Sequence, residues 1–212
     1  VELNEFEAAR RRLIDELKAD GIVTSRAVEE AMLSVPRHIF VPRYIRHYAY
    51  QDTPLAIMRG QTISAPHMVA MMCELIKPRG GMRILEVGAG TGYQACVCAR
   101  AIGEGEVYTI EIDPYLTLYA TINVIQAGYW GMVKVFQGDG KMGLPKYAPF
   151  DAILVTAAAS TVPQPLIDQL AVGGVMVIPL KEGDYQRLYV IEKGKDGVRR
   201  RFITYVSFVD LK

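Results

Sequence analysis

Asparagine is almost absent from this 212-residue chain, occurring only at Asn4 and Asn123, a depletion of labile amides in keeping with a hot habitat. Cysteine is scarce and odd in number. Cys73, Cys96 and Cys98 lack a paired zinc-ligand spacing, which argues against a secreted disulfide framework and for reduced thiols in a core. Cys96 and Cys98 stand two apart in an expected helix, where such neighbours do not share a face, so no metal site is expected there. No apolar run reaches the roughly 20 residues that span a bilayer, and the first residues carry charge where a leader would be apolar. These absences describe a cytoplasmic chain without a membrane segment. Nor does one charge dominate: 24 basic against 23 acidic residues leave a formal net charge of +1, which removes the electrostatic case for nucleic acid or a membrane surface as the main partner. The run Arg199-Arg200-Arg201 is local, and at a strand edge it guards against unwanted pairing.

What is present is enough apolar residue, half the chain, for one substantial core. The expectation is a single domain over 1–212, with a helical cap and loop over 1–65 and an α/β core over 66–212. Phe6, Leu13, Ile14 and Leu17 share a helical face that Asp20-Gly21 ends, and a second helix is predicted near Thr24 to Val35. Pro36 and Pro42 then punctuate an irregular passage leading to an ordered loop from Gln51 to Ala65; loops of that length inside domains are usually functional. Pro66 opens a helix that stops at Pro78 to Gly81. Strands are predicted near Arg83 to Val87, Glu106 to Glu111, Val133 to Phe136, Asp151 to Thr156 and Val175 to Leu180. Helices near Tyr93 to Ile102, Pro114 to Ala127 and Pro163 to Leu170 alternate with them. That alternation implies a doubly wound, mostly parallel, Rossmann-like sheet. Arg187 to Glu192 and Val198 to Val209 read as an antiparallel hairpin at one edge.

The segment Glu86-Val87-Gly88-Ala89-Gly90-Thr91-Gly92-Tyr93 falls where a strand meets a helix, so Gly88, Gly90 and Gly92 allow a tight turn and close backbone approach to a ligand. A dinucleotide loop would place its third glycine where Tyr93 stands, and Gly92 comes one residue early. This spacing favours S-adenosylmethionine over NAD, and Glu86 is then placed to face the cofactor's amino group. Glu111 at the end of the next strand suits ribose hydroxyls, whereas Asp113, directly before Pro114, reads as a helix cap. In Gly138-Asp139-Gly140, Asp139 is a candidate acceptor for the adenine amine and Gly140 clears space for the ring. Thr156 and Ala157, with Ala158 and Ala159, are small residues at the end of the central strand. They either leave a wall open to substrate or simply permit close packing.

The segment Gln61-Thr62-Ile63-Ser64-Ala65-Pro66-His67-Met68 is the most specific signal. With Val35-Pro36-Arg37, Phe40-Val41-Pro42 and the glycine loop, it resembles the protein-L-isoaspartate O-methyltransferase family over nearly the whole chain. The resemblance implies that Ser64 is the active-site hydroxyl and that Thr62 and Ile63 line the cofactor and substrate pocket. It also implies transfer of a methyl group from S-adenosylmethionine, leaving S-adenosylhomocysteine, to the free carboxylate of L-isoaspartyl residues in damaged proteins and peptides. The ester then leaves as the neighbouring backbone nitrogen closes a succinimide, whose hydrolysis returns some normal aspartate. Without the family, Ser64 would be read as a helix cap and His67 as a structural histidine. The competing readings are a methyltransferase of the same fold acting on a small molecule or RNA, and a nucleotide-binding protein without turnover.

Two departures from the family stand out. The helix after the second core strand carries Tyr115, Leu116, Leu118, Tyr119, Ile122 and Ile125 where charged residues are usual, a surface suited to an oligomer contact. The chain given ends shortly after Leu211, without the longer tail of some members, so cofactor contacts from a tail are left unassigned.

Overall fold

The strand and helix alternation read after Gly81 is realised as a seven-stranded sheet in the computed structural model, which describes residues 2–212 and their side chains from Glu5 onward. In chain order come α1 (Glu2–Ala19), α2 (Arg26–Ser34), a short ribbon of β1 (Leu55–Ala56) and β2 (Thr62–Ile63), and α3 (Pro66–Leu75). There follow β3 (Met82–Val87), α4 (Tyr93–Ile102), β4 (Gly105–Glu111), α5 (Pro114–Gln126) and β5 (Val133–Gln137). The chain finishes with β6 (Phe150–Val155), α6 (Gln164–Gln169), β7 (Leu170–Glu182), β8 (Tyr185–Gly194) and β9 (Gly197–Val206). The sheet order is β5-β4-β3-β6-β7-β8-β9, parallel from β5 to β7 and antiparallel from β7 to β9.

Period-two burial explains the two layers around this sheet, because successive strand residues point to opposite faces. Ile84, Val107, Ala152, Leu154 and Val177 join one core with residues of α1 to α5. Their neighbours Leu85, Tyr108, Ile153 and Met176 join a second core with Leu166 of α6. Right-handed crossovers account for this division: the chain moves one way through β3, β4 and β5 and the other way from β6 to β7, so the connecting helices fall on opposite faces. The reversal leaves a crevice at the carboxyl ends of β3 and β6, the usual place for a ligand in such sheets.

The cap packs by the same rules. Leu13, Ile14 and Leu17 of α1 are buried, while Glu7 and Arg11 pair at 3.7 Å on its outer side. Gly21, at φ 70°, turns the chain so that the Ile22 amide returns to the Leu17 carbonyl at 2.9 Å. Ser25 caps α2 by accepting from the Val28 amide at 3.2 Å. Glu74 Oε1 of α3 accepts from the Thr24 and Ser25 amides, both at 2.8 Å, and so fastens that cap to the core.

Three boundaries differ from the sequence reading. The loop from Gln51 to Ala65 contains the ribbon of β1 and β2, in the register Leu55↔Ile63 and Ala56↔Thr62; strands of this length are too short to show alternation. The strand expected at Val175 begins at Leu170, since Phe150 pairs with Leu170 and Ala152 with Val175. That shift is a bulge containing Gly173 and Gly174, which interrupt the apolar pattern. The last strand stops at Val206, and the residues after it turn back toward the crevice. Arg199, Arg200 and Arg201 are exposed on the edge strand β9.

One half-buried aromatic cluster should give the cap a pH dependence. Phe6 stacks on His38 with ring centroids 4.3 Å apart, and His38 Nδ1 lies 2.8 Å from the Tyr50 hydroxyl. Burial, reinforced by Arg10 and Arg46, pushes the His38 pKa from 6.5 down to about 4. The folded state therefore binds fewer protons than the unfolded chain between these values, and the stability from neutral His38 is full above pH 6.5 and lost as pH falls toward 4. Thermal unfolding is expected to show a fall in Tm from pH 7 to pH 5 that is smaller in His38→Asn; identical slopes would remove His38 as the cause.

Candidate active site

An open cleft lies over the carboxyl ends of β3, β4 and β6. The glycine loop after β3 forms its floor, the ribbon residues Gln61 to Ser64 one wall, and Glu111 to Asp113 another. Gly88 has φ 97°, and a Cβ there would stand 2.5 Å from Thr156 Oγ1. The reason is a lock: the Thr156 hydroxyl shares its one hydrogen between the Gly88 carbonyl at 2.7 Å and the Val87 carbonyl at 3.1 Å. Thr156 thus serves the loop as well as lining the cleft, and Ala157 lines it beside Thr156.

Glu111 turns back onto the same loop. One carboxylate oxygen accepts from the Gly90 amide at 3.0 Å and the other from the Asp113 amide at 3.1 Å, which leaves further lone pairs for a ligand. Asp113 is the cap of α5, accepting from the Tyr115 and Leu116 amides at 2.8 and 3.3 Å. Gly140 enters the cleft because it has no side chain: a Cβ would lie 2.4 Å from Val87 Cγ1. Buried Asn123 donates from Nδ2 to the Thr91 carbonyl at 3.0 Å, tying α5 to the loop.

Glu86 is the most informative charge in the site. Its Oε2 accepts from Thr109 Oγ1 at 2.5 Å, while Oε1 is buried without a partner. Burial pushes this carboxyl well above the usual carboxylate range, and the Thr109 hydrogen bond offsets only part of that. A ligand ammonium at the cleft would supply the missing partner and make the ionised form favourable. Together with the glycine loop and the two acceptors of Glu111, this donor and acceptor set fits the amino group and ribose of S-adenosylmethionine.

Ser64 lines the cleft, and it is not a helix cap: Ala65 holds the cap position of α3 with no side-chain hydrogen bond. The capping is done by Asp52, whose Oδ1 accepts from the His67 amide at 2.8 Å and lies 2.9 Å from His67 Nδ1. His67 is therefore engaged with the preceding loop, and it is not among the residues lining the cleft.

The structure brings together Thr62, Ile63, Ser64, Glu86, Gly88, Gly90, Glu111, Gly140, Thr156 and Ala157. It does not bring Gly92 or Asp139 into the cleft. Gly92 faces α5, where a Cβ would meet Val124 Cγ2 at 3.0 Å and the Ala120 carbonyl at 3.3 Å. Asp139 is exposed and caps a short turn by accepting from the Lys141 amide at 2.9 Å. Sequence reasoning missed Ile112 and Leu116, which add apolar surface, and Val209 to Lys212. The Ala158 amide donates to the Val209 carbonyl at 2.8 Å and the Leu211 amide to the Ala158 carbonyl at 2.9 Å, so this segment is laid along the end of β6 by backbone bonds that no side-chain pattern signals.

Comparison with known proteins agrees with this geometry. The family model for protein-L-isoaspartate(D-aspartate) O-methyltransferases matches residues 8–212. A protein-L-isoaspartate O-methyltransferase of Pyrobaculum islandicum is 57% identical over 202 residues, covering 95% of this chain and 98% of its own. The protein of that name from Methanopyrus kandleri is 51% identical over 208 residues, covering 97% and 92%. Among solved structures, a Plasmodium falciparum protein-L-isoaspartate O-methyltransferase in complex with S-adenosyl-L-homocysteine is 30% identical, with a TM-score of 0.84 over 96% of this chain and 98% of that one.

Proposed function

Since the chain belongs to the protein-L-isoaspartate(D-aspartate) O-methyltransferase family, we propose a division of labour among its own residues for that activity. It is an S-adenosylmethionine-dependent enzyme that methylates the free carboxylate of L-isoaspartyl residues in proteins and peptides. The observation that carries the residue assignment is the meeting of Thr62 to Ser64 with the glycine loop and Glu111 around one cleft.

In this reading Glu86 and Glu111 hold the amino group and ribose, Gly88 and Gly90 give the loop its close approach, and Gly140 leaves room beside Val87 for the adenine. Ile112 and Leu116 supply apolar contact. Asp139, turned to Lys141, reaches the adenine amine only by rotating out of its capping bond. S-adenosylmethionine supplies, when bound, an electrophilic methyl on a positively charged sulfur.

The substrate carboxylate needs no general base, because its pKa of roughly 3 to 4 leaves it ionised at neutral pH. The protein's task is to strip water from that anion and align it, since the transfer cancels two charges and gains from a dry, oriented site. Ser64 serves this by donating a hydrogen bond to the carboxylate, with Thr62, Ile63, Thr156 and Ala157 as the surrounding walls. The near-balanced charge and the three buried thiols support a cytoplasmic enzyme working on peptide chains rather than nucleic acid. The exposed face of α5, with Tyr115, Leu118, Ile122 and Ile125, is the surface an oligomer would use.

The experiment is methyl transfer from labelled S-adenosylmethionine to two peptides that differ only in L-isoaspartate against L-aspartate. The extra backbone methylene of isoaspartate moves the carboxylate, and a misplacement near 1 Å costs on the order of a hundredfold in rate. The isoaspartyl peptide is expected to be methylated at least that much faster; equal rates would remove the repair function.

A further inference from the structure

Arg59 stands at the tip of the ribbon with φ 62° and ψ 24°, a left-handed conformation that residues other than glycine keep only when their surroundings hold them there. What holds it belongs to a different element. Arg59 Nε donates to Asp113 Oδ2 at 3.0 Å, and its guanidinium lies over the Tyr115 ring, 5.1 Å from the centroid. Asp113 is itself fixed, because its other oxygen caps α5. The hydrogen bond from Arg59 keeps the Asp113 carboxyl below its ordinary range, so this carboxylate stays charged through neutral pH.

The two ends of this contact belong to two walls of one cleft. Gln61 and Ser64 line it from the ribbon side and Asp113 and Leu116 from the α5 side, so the Arg59 contact joins the segment that carries Ser64 to the segment that follows Glu111. We propose that Arg59 is a positioning residue that straps the active-site ribbon to the first turn of α5 over the cofactor cleft, so that release of S-adenosylhomocysteine waits on the opening of this strap. The proposal rests on the cofactor reading above. The strap is built to open: the Arg59 side chain is 55% exposed and that of Asp113 20%, and ion pairs and cation–π contacts near the surface are weak and screened by salt.

The test measures S-adenosylhomocysteine release by stopped flow, the KM for S-adenosylmethionine, and thermal unfolding, in the wild type, Arg59→Gly and Arg59→Lys. Glycine takes φ 62° without strain, so Arg59→Gly removes the side chain while favouring the same backbone. Release from Arg59→Gly is expected to be about three- to tenfold faster, the range for losing an exposed ion pair together with a cation–π contact, with a parallel rise in KM and no fall in Tm. Arg59→Lys should lie between the two. Raising salt from about 0.05 to 0.5 M should speed release from the wild type toward the Arg59→Gly value and leave the variant nearly unchanged. Wild-type release and salt response in Arg59→Gly overturn the strap, as does a loss of affinity that tracks a loss of Tm, which would make Arg59 a brace for folding. A wild-type protein that binds no S-adenosylhomocysteine sinks the cofactor reading and the strap with it; binding and isoaspartyl methylation with no change in Arg59→Gly sink the strap alone.

Discussion

Replacing Ser64 by alanine is expected to slow methyl transfer to an isoaspartyl peptide about a hundredfold, the cost of a carboxylate that is no longer held in line, while S-adenosylmethionine affinity stays near the wild-type value. The proposed cofactor set of Glu86, Gly88, Gly90 and Glu111 is held by bonds that do not pass through Ser64. Stability should barely change, because α3 takes its cap from Asp52 and not from Ser64, and surface substitutions away from such features are worth within about 0.5 kcal/mol. The decisive pair of measurements is initial rate at saturating cofactor and Tm. Near-normal turnover in a folded Ser64→Ala protein would remove Ser64 from the chemistry.

The second large effect concerns Glu111. Its carboxylate both orders the glycine loop through the Gly90 amide and, in the proposed reading, meets the ribose. Glu111→Ala is expected to weaken cofactor binding by about 1 to 3 kcal/mol, the range for losing hydrogen bonds to a charged group, or roughly fivefold to more than a hundredfold in Kd. Calorimetry with S-adenosylhomocysteine reads this directly. Glu111→Gln keeps an acceptor oxygen and should fall between. Unchanged affinity in Glu111→Ala would hand the ribose to Asp113, whose oxygens are otherwise committed to α5 and Arg59.

These expectations draw on a site that was legible in the sequence wherever chemistry and local geometry coincide. Gly88 and Gly90 announce a tight turn between a strand and a helix, Glu111 sits at a strand end, and Asp113 before Pro114 is a cap; all are consequences of residues adjacent in the chain. Where the structure departs from the sequence reading, most of the causes are contacts at long sequence separation, and Asp139 is the local exception. Gly92 looks like its neighbouring loop glycines until α5 packs against it. Asp139 has the right position on the sheet, yet a nearby amide captures its carboxylate. Whether Ser64 caps α3 could not be decided locally, because the actual cap, Asp52, reaches in from the preceding loop. Val209 to Lys212 are bound by the backbone of Ala158, and the Arg59 strap joins residues 54 apart. The sheet order was within reach because the alternating elements and right-handed crossovers limit the arrangements, whereas the ribbon was hidden because a strand as short as Leu55–Ala56 shows no period.

Asn123 carries a consequence for the enzyme's own lifetime. Isoaspartyl linkages arise when the backbone nitrogen after an asparagine attacks that asparagine's side-chain carbonyl, so an enzyme that treats this lesion is exposed to acquiring it. Asn123 is buried inside α5, where its amide nitrogen is spent on the Thr91 carbonyl, and the nitrogen that would have to attack belongs to Val124, a β-branched residue within the helical backbone. Attack there would require unwinding α5 and releasing the glycine loop together. The bond that ties the helix to the loop thus also shields Asn123 from the lesion that the enzyme treats in others.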